Sequence, residues 1–380
     1  MRALPSVIDR CKQRFAAIDD RVNLVQGVGK LAVLRANSIG DYLVSLPALQ
    51  ALRAAYPAAE LVLLGADWHV GFLAGRSGPV DRCLPVPPTA GVRDDRPPTS
   101  PAEVEAFFDR MRAERFDLAV QLHGGGRHSN PFVRRLGARV TAGSRAPDAA
   151  PLDRTIPYTG YQHETLRFLE VAGLVGATPV TLEPCMQVTA DDRAEASAAL
   201  AEDDRPLVVL HPGANDLRRR WPVERLAAVG NELTRKGARL AVVGTATEQP
   251  LVDQLLAGLE GDAADLAGRL GLGGLAGLLE RATLLVGNDS GPRHLAAAVG
   301  TATVAIFWCA SLGTYGPLYR ARHRAPTSWR LHCPLCGAHG LQQDCRARHE
   351  ASFVADITVD EVLAEALDLL ATETAEASAR

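Results

Sequence analysis

Short apolar runs recur along the chain, and each leads into a turn that is rich in glycine or polar residues. Runs of this length and composition are typical of strands that are buried on both faces of a parallel sheet. Between many of them lie segments whose apolar residues recur at helical spacing. The runs lie at residues 31–35, 61–65, within 117–130, and at 207–210, 239–244, 284–287 and 303–307. Their alternation with helices predicts an α/β protein with parallel sheets.

The segments between the runs predict helices of ordinary length. In the first of them, leucines continue at helical spacing from Tyr42 to Tyr56, with Pro47 as an interruption. An amphipathic leader helix is predicted within residues 2–29, and the last helix begins at a capping box that includes Thr358 and Glu361. Further helices are predicted at about 222–236, 248–259 and 273–281, and from Pro292 onward.

The length of the chain, 380 residues, exceeds what one hydrophobic core usually supports, so two domains are expected. The pattern weakens in a charged, alanine-rich stretch around residues 184–205, and a second alternation of strands and helices begins at Leu207. We therefore predict two Rossmann-like, doubly wound domains, at residues 1–190 and 191–380. The final helix is expected to pack on a domain, and packing back onto the first domain is one option for it.

Charge and apolar content exclude several classes of protein. A formal net charge of -3 gives no broad basic surface, so a nucleic acid is not an expected partner. No apolar run approaches the roughly 18 residues that a membrane span needs, and the first residues lack the apolar region of a signal peptide. A cytoplasmic location is therefore expected. Local sites for an anion are still compatible with this composition.

The first motif with candidate functional residues is RANSIGDYLVSLPAL. It begins at Arg35, at the end of a predicted strand, and continues into a predicted helix. Asp41 in this motif suits two roles, a helix N-cap and a general base that accepts a proton from a hydroxyl. Arg35, Asn37 and Ser38 crowd the same turn, on the side where a polar ligand of a parallel sheet would bind. No other carboxylate of the first half is as well placed for a reaction.

Three strand-end turns in the second half suggest a site for a nucleotide diphosphate. The arginines of HPGANDLRRRWP, Arg219 among them, suit phosphate oxygens or a solvated charged surface. Glu248 follows another strand, where a carboxylate accepts ribose hydroxyls or favours the helix dipole. The stretch NDSGPRH ends a third strand and begins a helix whose N-terminus is a natural seat for an anion. It contains Asp289, Ser290, Gly291 and His294.

Three motifs, RANSIGDYLVSLPAL, HPGANDLRRRWP and GNDSGPRHLAAAVGTATVAIF, occur in this order. Together they resemble glycosyltransferase family nine, the ADP-heptose heptosyltransferases, over about residues 30–370. The resemblance implies a GT-B fold, with two Rossmann-like domains facing across a cleft, and metal-independent transfer of a heptose with inversion. It also implies a role for each matching residue: Asp41 as catalytic base, Asp289, Ser290 and Gly291 on the donor sugar and diphosphate, Glu248 on the ribose, and His294 at the family's histidine position.

Two positions depart from the family pattern. Arg219 stands where the family often has lysine, which keeps the charge but changes the geometry of its hydrogen bonds. Asn37 stands where a serine is common in the family. We expect this residue on the acceptor side of the site, together with Arg35, Ser38 and Arg127, which lies in the glycine-rich loop Gly124–Asn130. The donor site is therefore expected to resemble that of the family, whereas the acceptor is left open.

The function that these residues imply is transfer of a heptose from an ADP-heptose-type donor to an acceptor hydroxyl, on the lipopolysaccharide core or on another glycan or natural product. One alternative is a GT-B enzyme that uses a different nucleotide sugar. Another is a protein that binds a nucleotide sugar without catalysis. No cofactor is required by the implied reaction, and peripheral contact with the inner face of the membrane is compatible with such an acceptor.

A cysteine cluster lies near the end of the second half. Cys333 and Cys336 have the spacing of metal ligands, and Cys345 follows them with several histidines nearby. A structural zinc site and ordinary packing thiols are both compatible with this pattern. The remaining cysteines are scattered, and a reducing compartment makes a disulfide framework improbable.

Overall fold

We describe the protein from a computed structural model that covers residues 24–342 and 350–379. The leader helix predicted within residues 2–29 lies outside the described residues, apart from a turn at 24–29. Among the helices in these two ranges, none combines the length and the apolar character that a membrane span requires. Two separate parallel sheets organise the rest of the chain.

The first sheet contains six parallel strands in the order β3-β2-β1-β4-β5-β6. Its strands are β1 (Lys30–Leu34), β2 (Glu60–Gly65), β3 (Arg82–Pro85), β4 (Leu118–Gln121), β5 (Val140–Arg145) and β6 (Arg154–Pro157). The helices that accompany them are α1 (Ile39–Leu43), α2 (Leu46–Ala55), α3 (Asp67–Leu73), α4 (Pro101–Glu114), α5 (Ser129–Arg134) and α6 (Glu164–Gly173).

The second sheet repeats this arrangement in the order β12-β11-β10-β7-β8-β9, with β13 paired to the end of β11. Its strands are β7 (Leu207–His211), β8 (Arg239–Val242), β9 (Ala263–Asp265), β10 (Leu284–Asn288), β11 (Ala302–Trp308), β12 (His323–Arg324) and β13 (Thr327–Ser328). Its helices are α7 (Ala190–Ala199), α8 (Val223–Arg235), α9 (Gln249–Ala257), α10 (Leu272–Glu280), α11 (Gly291–Ala298), α12 (Cys309–Tyr315) and α13 (Val359–Ala379). Short 3-10 turns occur at Leu217–Arg219 and Ala246–Glu248.

Both sheets reverse their strand order at one point, which lies between β1 and β4 in the first sheet and between β7 and β10 in the second. In open parallel sheets, ligands bind outside the carboxyl ends of the strands at this point. The predicted motifs lie there: RANSIGD follows β1, HPG ends β7, and NDSG ends β10. The predicted fold class, two doubly wound α/β domains, is confirmed.

Apolar side chains cover both faces of each sheet, which explains why the strands lack a polar alternation. One core cluster is continuous between the two halves, because it contains leucines of α2 together with residues of β7, α10 and α11. Two further clusters lie on the outer faces, one beneath α4 and α5 and the other beneath α8, α9 and α13. An ion pair between buried Arg76 and Asp192, 2.7 Å apart, also joins the halves.

Several details differ from the sequence predictions. The helix predicted at 42–56 is two helices, and Pro47 lies in the first turn of the second, where its missing N–H costs no hydrogen bond. Ser38 is the N-cap of α1, not Asp41, which lies three residues later. Strands β3, β5 and β6 were not predicted, because β3 and β6 have only four residues each, including arginine and proline, and the six residues of β5 include a glycine, a serine and an arginine.

The final helix, α13, begins at the predicted capping box: the Glu361 carboxylate accepts from the backbone N–H of Thr358, and the Thr358 hydroxyl accepts from the N–H of Glu361. Its apolar stripe packs against α8, β10 and β11 of the second sheet. These contacts show that α13 packs on the second domain and not back onto the first. The boundary at 190/191 stays a prediction, although α7 begins there and packs on α10.

Candidate active site

A cleft of about 1010 Å³ separates the carboxyl edges of the two sheets. The first half contributes the turn and first residues of α1, residues 38–41, to its wall. The second half contributes the ends of β7, β8 and β10 and the start of α11, so the three turns predicted to converge do lie together. The predicted site residues that line this cleft are Ser38, Asp41, Arg219, Glu248, Asp289, Ser290, Gly291 and His294.

Asp41 is the carboxylate that the first half presents to the cleft, and its side chain is 23% exposed. Arg35, which is buried, donates from Nη2 to Asp41 Oδ1 at 2.9 Å and from Nε to the Asp41 carbonyl at 2.9 Å. The Ser38 hydroxyl donates to Asp41 Oδ2 at 2.7 Å. Arg35 and Ser38 therefore orient the carboxylate from its own domain, and one edge of it still faces the cleft.

Asp289 is the carboxylate of the second half, and it is nearly inaccessible, with 1% of its side chain exposed. Arg219 Nη1 lies 3.1 Å from Oδ2, and Arg293 Nη2 lies 3.0 Å from Oδ1. Neighbouring Asn288 donates to the carbonyls of Pro212 and Gly213, at 2.7 and 3.3 Å. This amide fixes the turn after β7 against the end of β10, and it thereby places the arginines of the second motif.

The N-terminus of α11 opens into the cleft between these groups. Ser290 is the N-cap residue, and its hydroxyl forms no capping bond; instead it lies 3.1 Å from Nδ1 of His211. Pro292 occupies the first turn, and the backbone N–H groups of that turn have no intrahelical acceptor. Such a helix start favours a negative charge through its N–H groups and dipole.

Glu248 lines the side of the cleft formed by β8. His211 Nε2 lies 3.7 Å from its carboxylate, and this imidazole is the largest influence that holds the Glu248 pKa down to about 2. Hydrogen bonds from the N–H and hydroxyl of Thr245, at 2.8 and 3.0 Å, act in the same direction against the effect of burial. A Cβ at Gly213 would lie 1.9 Å from Glu248 Oε1, so the carboxylate depends on the missing side chain.

His294 lies at the contact between the two halves. Burial, with the positive charges of Arg293 and Arg219, lowers its pKa well below 6.5, and its Nε2 accepts a hydrogen bond from Arg293 at 2.9 Å. A Cβ at Gly40 would lie 3.0 Å from the His294 ring, and a Cβ at Gly291 would lie 2.8 Å from Ile39. Two glycines thus allow α1 and α11 to meet directly at the cleft.

Two acceptor-side predictions lie away from this cleft. Arg127 is exposed and pairs with Asp148 at 2.5 Å, and it is not among the residues that line the cleft. The backbone carbonyl of Asn37 accepts from the indole N–H of Trp68 at 3.3 Å, and its buried side-chain oxygen has no hydrogen-bond partner within the part of the chain that the structure describes. Their part in binding an acceptor stays a prediction.

Sequence reasoning missed three residues of the cleft region, His211, Arg293 and Tyr315. His211 ends β7 within the motif HPGANDLRRRWP, but the motif alone assigns no role to it. Tyr315 ends α12, a helix that the apolar pattern of the sequence did not predict. Arg293 had a detectable signal, because it follows Asp289 by four residues, the spacing at which side chains meet on a helix.

The cysteine cluster lies beside the second motif. Cys333 is buried and Cys336 is exposed, and the turn between them is closed by a hydrogen bond from Gly337 N–H to the Cys333 carbonyl at 2.9 Å. Within residues 24–342 and 350–379 no three metal-binding side chains come together. Cys345 lies outside the described residues, so the zinc site stays a prediction.

Solved structures with this arrangement of two domains include several glycosyltransferases. A glycosyl transferase family 9 protein from Veillonella parvula superposes with a TM-score of 0.74 over 92% of this chain and 99% of that chain, at 20% identity. ADP-heptose lipopolysaccharide heptosyltransferase II from E. coli gives a TM-score of 0.70 over 91% and 99%, at 22% identity. These likenesses show that the fold is the GT-B fold, as the resemblance implied.

Sequence comparison then defines the family. The sequence model of glycosyltransferase family 9 (heptosyltransferase) matches residues 104–331, more than half of the chain. Lipopolysaccharide heptosyltransferase 2 from Salmonella typhimurium is 25% identical over 363 residues, which cover 90% of this chain and 99% of that protein. The chain therefore belongs to glycosyltransferase family 9, and the family resemblance found in the sequence is confirmed.

Proposed function

We propose that this glycosyltransferase moves a heptose from ADP-heptose, or a close analogue, to an acceptor hydroxyl on the lipopolysaccharide core or a related glycan. The observation that carries the proposal is the cleft, because one oriented carboxylate from the first half faces an anion-binding set from the second. The names of the similar E. coli and Salmonella proteins support both the donor and the acceptor class.

In the proposed reaction, Asp41 accepts the proton of the acceptor hydroxyl as its oxygen attacks the anomeric carbon of the donor sugar. The bond from that carbon to the diphosphate oxygen breaks at the same time, and ADP leaves with the bonding electrons. Attack opposite the leaving group inverts the configuration. Arg35 and Ser38 hold the Asp41 carboxylate in place for the transfer.

The departing diphosphate requires positive charge, and the cleft offers two sources of it. Arg219 reaches into the cleft from the second motif, and the N-terminus of α11 points its free N–H groups into the same space. These groups support a mechanism that needs no metal ion. Glu248 and Asp289 both line the cleft, and we assign Glu248 to the ribose hydroxyls and Asp289 to a hydroxyl of the sugar.

The partners that follow from this proposal are a nucleotide sugar and a glycan acceptor. The proposed donor is a nucleotide sugar of the kind used in the cytoplasm, so we place the enzyme there. Peripheral contact with the inner face of the membrane would bring it to a lipid-linked acceptor. Cys333 and Cys336 form the first half of a proposed structural zinc site with Cys345, which metal analysis of untagged protein tests.

The donor assignment is tested by a thermal-shift and turnover screen of nucleotide sugars, with ADP-heptose first, against candidate acceptors. A donor at about 100 times its Kd stabilises the folded state by about 2.7 kcal/mol, which a melting curve resolves easily. Parallel samples with EDTA test the independence from metal. If ADP-heptose neither stabilises nor reacts while another nucleotide sugar does both, the donor assignment is wrong and the alternative donor takes its place.

A further inference from the structure

Arg293 is a buried cation next to the donor side of the cleft, and its role is not explained by the reaction proposed above. Its side chain is 5% exposed, and its guanidinium lies over the ring of Phe307 at 5.2 Å. Nη2 lies 3.0 Å from Asp289 Oδ1, 2.8 Å from the Tyr315 carbonyl oxygen and 2.9 Å from His294 Nε2, and these three acceptors share its two hydrogens. These three contacts hold the guanidinium in one position.

The second cation on Asp289 is held much more loosely. Arg219 is 25% exposed, and among residues 24–342 and 350–379 its guanidinium forms a single hydrogen bond to a side chain, that of Asp289 through Oδ2. It lines the cleft, whereas Arg293 lies behind Asp289 and does not. One carboxylate therefore has two counter-charges, of which one is enclosed in the protein and the other is at the surface of the binding space.

We propose that Arg293 is a positioning residue that serves as the permanent counter-charge of Asp289, so that Arg219 is free to move to the donor diphosphate. This inference rests on the proposed function. When the diphosphate takes over Arg219, Asp289 keeps Arg293, and its Oδ2 becomes an acceptor for a hydroxyl of the transferred sugar. Arg219 then serves two partners in turn, the carboxylate before binding and the diphosphate after it.

The physical reason is the cost of leaving a buried carboxylate without a partner. Breaking a buried ion pair by removing one member is strongly unfavourable, because the remaining charge loses its compensation in a medium that solvates it poorly. Without Arg293, the departure of Arg219 would leave Asp289 in that state. Arg219 would then stay on Asp289, and the diphosphate would bind without it.

The test is a double-mutant cycle on ADP affinity, measured by isothermal titration calorimetry with Arg293→Met and Arg219→Ala. We expect Arg293→Met alone to weaken ADP binding about tenfold, although Arg293 does not line the cleft. In the Arg219→Ala background the same change should alter the affinity by less than about twofold, because the two residues act through one contact. An equal loss in both backgrounds would show that Arg293 acts on ADP directly, and would overturn the proposal.

A second pair of variants keeps the test informative if Arg293→Met does not fold. Arg293→Lys retains the charge and should bind ADP within about threefold of wild type. Asp289→Asn releases Arg219 and should bind ADP at least as tightly as wild type, and weaker binding by this variant would contradict the exchange of partners. Arg322→Met, which removes an arginine paired with Glu373 away from the cleft, is the matched control.

Failure of this inference can be distinguished from failure of the proposed function. If the wild-type protein binds neither ADP nor ADP-heptose, the donor assignment is wrong. If the wild type binds ADP and the cycle shows no coupling between Arg219 and Arg293, the donor assignment stands and the role of Arg293 as counter-charge is wrong.

Discussion

Two aspartates line the cleft, one from each half of the chain, and their surroundings differ in almost every respect. Asp41 is 23% exposed and receives one hydrogen bond from Arg35 and one from Ser38, both in its own turn. Asp289 is 1% exposed and lies between two arginines, one of them fully enclosed. The first carboxylate is oriented and left accessible, whereas the second is enclosed and fully paired.

The difference shows how one fold, used twice, separates two tasks. A group that exchanges a proton with a substrate must reach it at hydrogen-bond distance, and Asp41 has the exposure that this requires. A group that holds a ligand benefits instead from a fixed position and a defined charge balance, which the arginines give to Asp289. In the proposed mechanism, the same strand-to-helix junction thus carries the reacting group in one domain and a binding group in the other.

The largest effect is expected from Asp41→Asn. Because the amide does not accept the proton of the attacking hydroxyl, we expect turnover to fall by about 10³-fold, while the Kd for the donor changes by less than about twofold. Steady-state kinetics and donor titration of the same preparation measure the two quantities. Asp109→Asn, an exposed change on α4, is the control. Equal turnover by Asp41→Asn would show that the accessible carboxylate is not the base.

A smaller effect is expected from Arg219→Ala. Loss of the cation that meets the leaving diphosphate should lower kcat by about 10²-fold. Stability should change little, because the side chain is partly exposed and Asp289 keeps Arg293. Turnover and urea unfolding together measure both results, with Arg235→Ala on the surface of α8 as the control. If the variant lowers the free energy of unfolding strongly as well as kcat, Arg219 is mainly structural. The contrast between a mobile Arg219 and a fixed Arg293 is then wrong.

The smallest effect is expected from Glu248→Gln, and it depends on pH. The folded-state pKa of Glu248, about 2, lies below its ordinary value of 4.5, so the carboxylate stabilises the fold above that ordinary value. The variant should lose about 1 kcal/mol of the free energy of unfolding at neutral pH. This difference should shrink as the pH falls from 4.5 toward 2. Urea unfolding across that range, with the exposed Glu224→Gln as control, measures it; a difference that grows toward low pH would contradict the assignment.

Much of the architecture was predictable, because buried parallel strands are apolar throughout and end in marked turns. The runs at 31–35, 207–210 and 284–287 became the central strands of the two sheets, and the motifs after them became the walls of the cleft. Strands β3, β5 and β6 were not predictable. They lie toward the edge of the first sheet and carry residues that strands usually avoid.

The partners of the site residues were harder to predict than the residues themselves. That Arg35 holds Asp41 follows from the position of both in one turn, but His211 meets Glu248 only because β7 and β8 are neighbours in the sheet. The contact of Arg219 with Asp289 was also not evident from the sequence, since it joins residues 70 positions apart.

The contact between α1 and α11 has a consequence for the order of events in catalysis. Because Gly40 and Gly291 have no side chains, the His294 ring and the Ile39 side chain pack closely against the backbone of the facing helix, and a shift in the first turn of α11 would be passed to α1 through these contacts. In the proposed mechanism α1 carries the base and α11 binds the donor diphosphate, so we expect binding of the donor to adjust the position of the base. We therefore expect a sequential kinetic scheme in which the donor binds first.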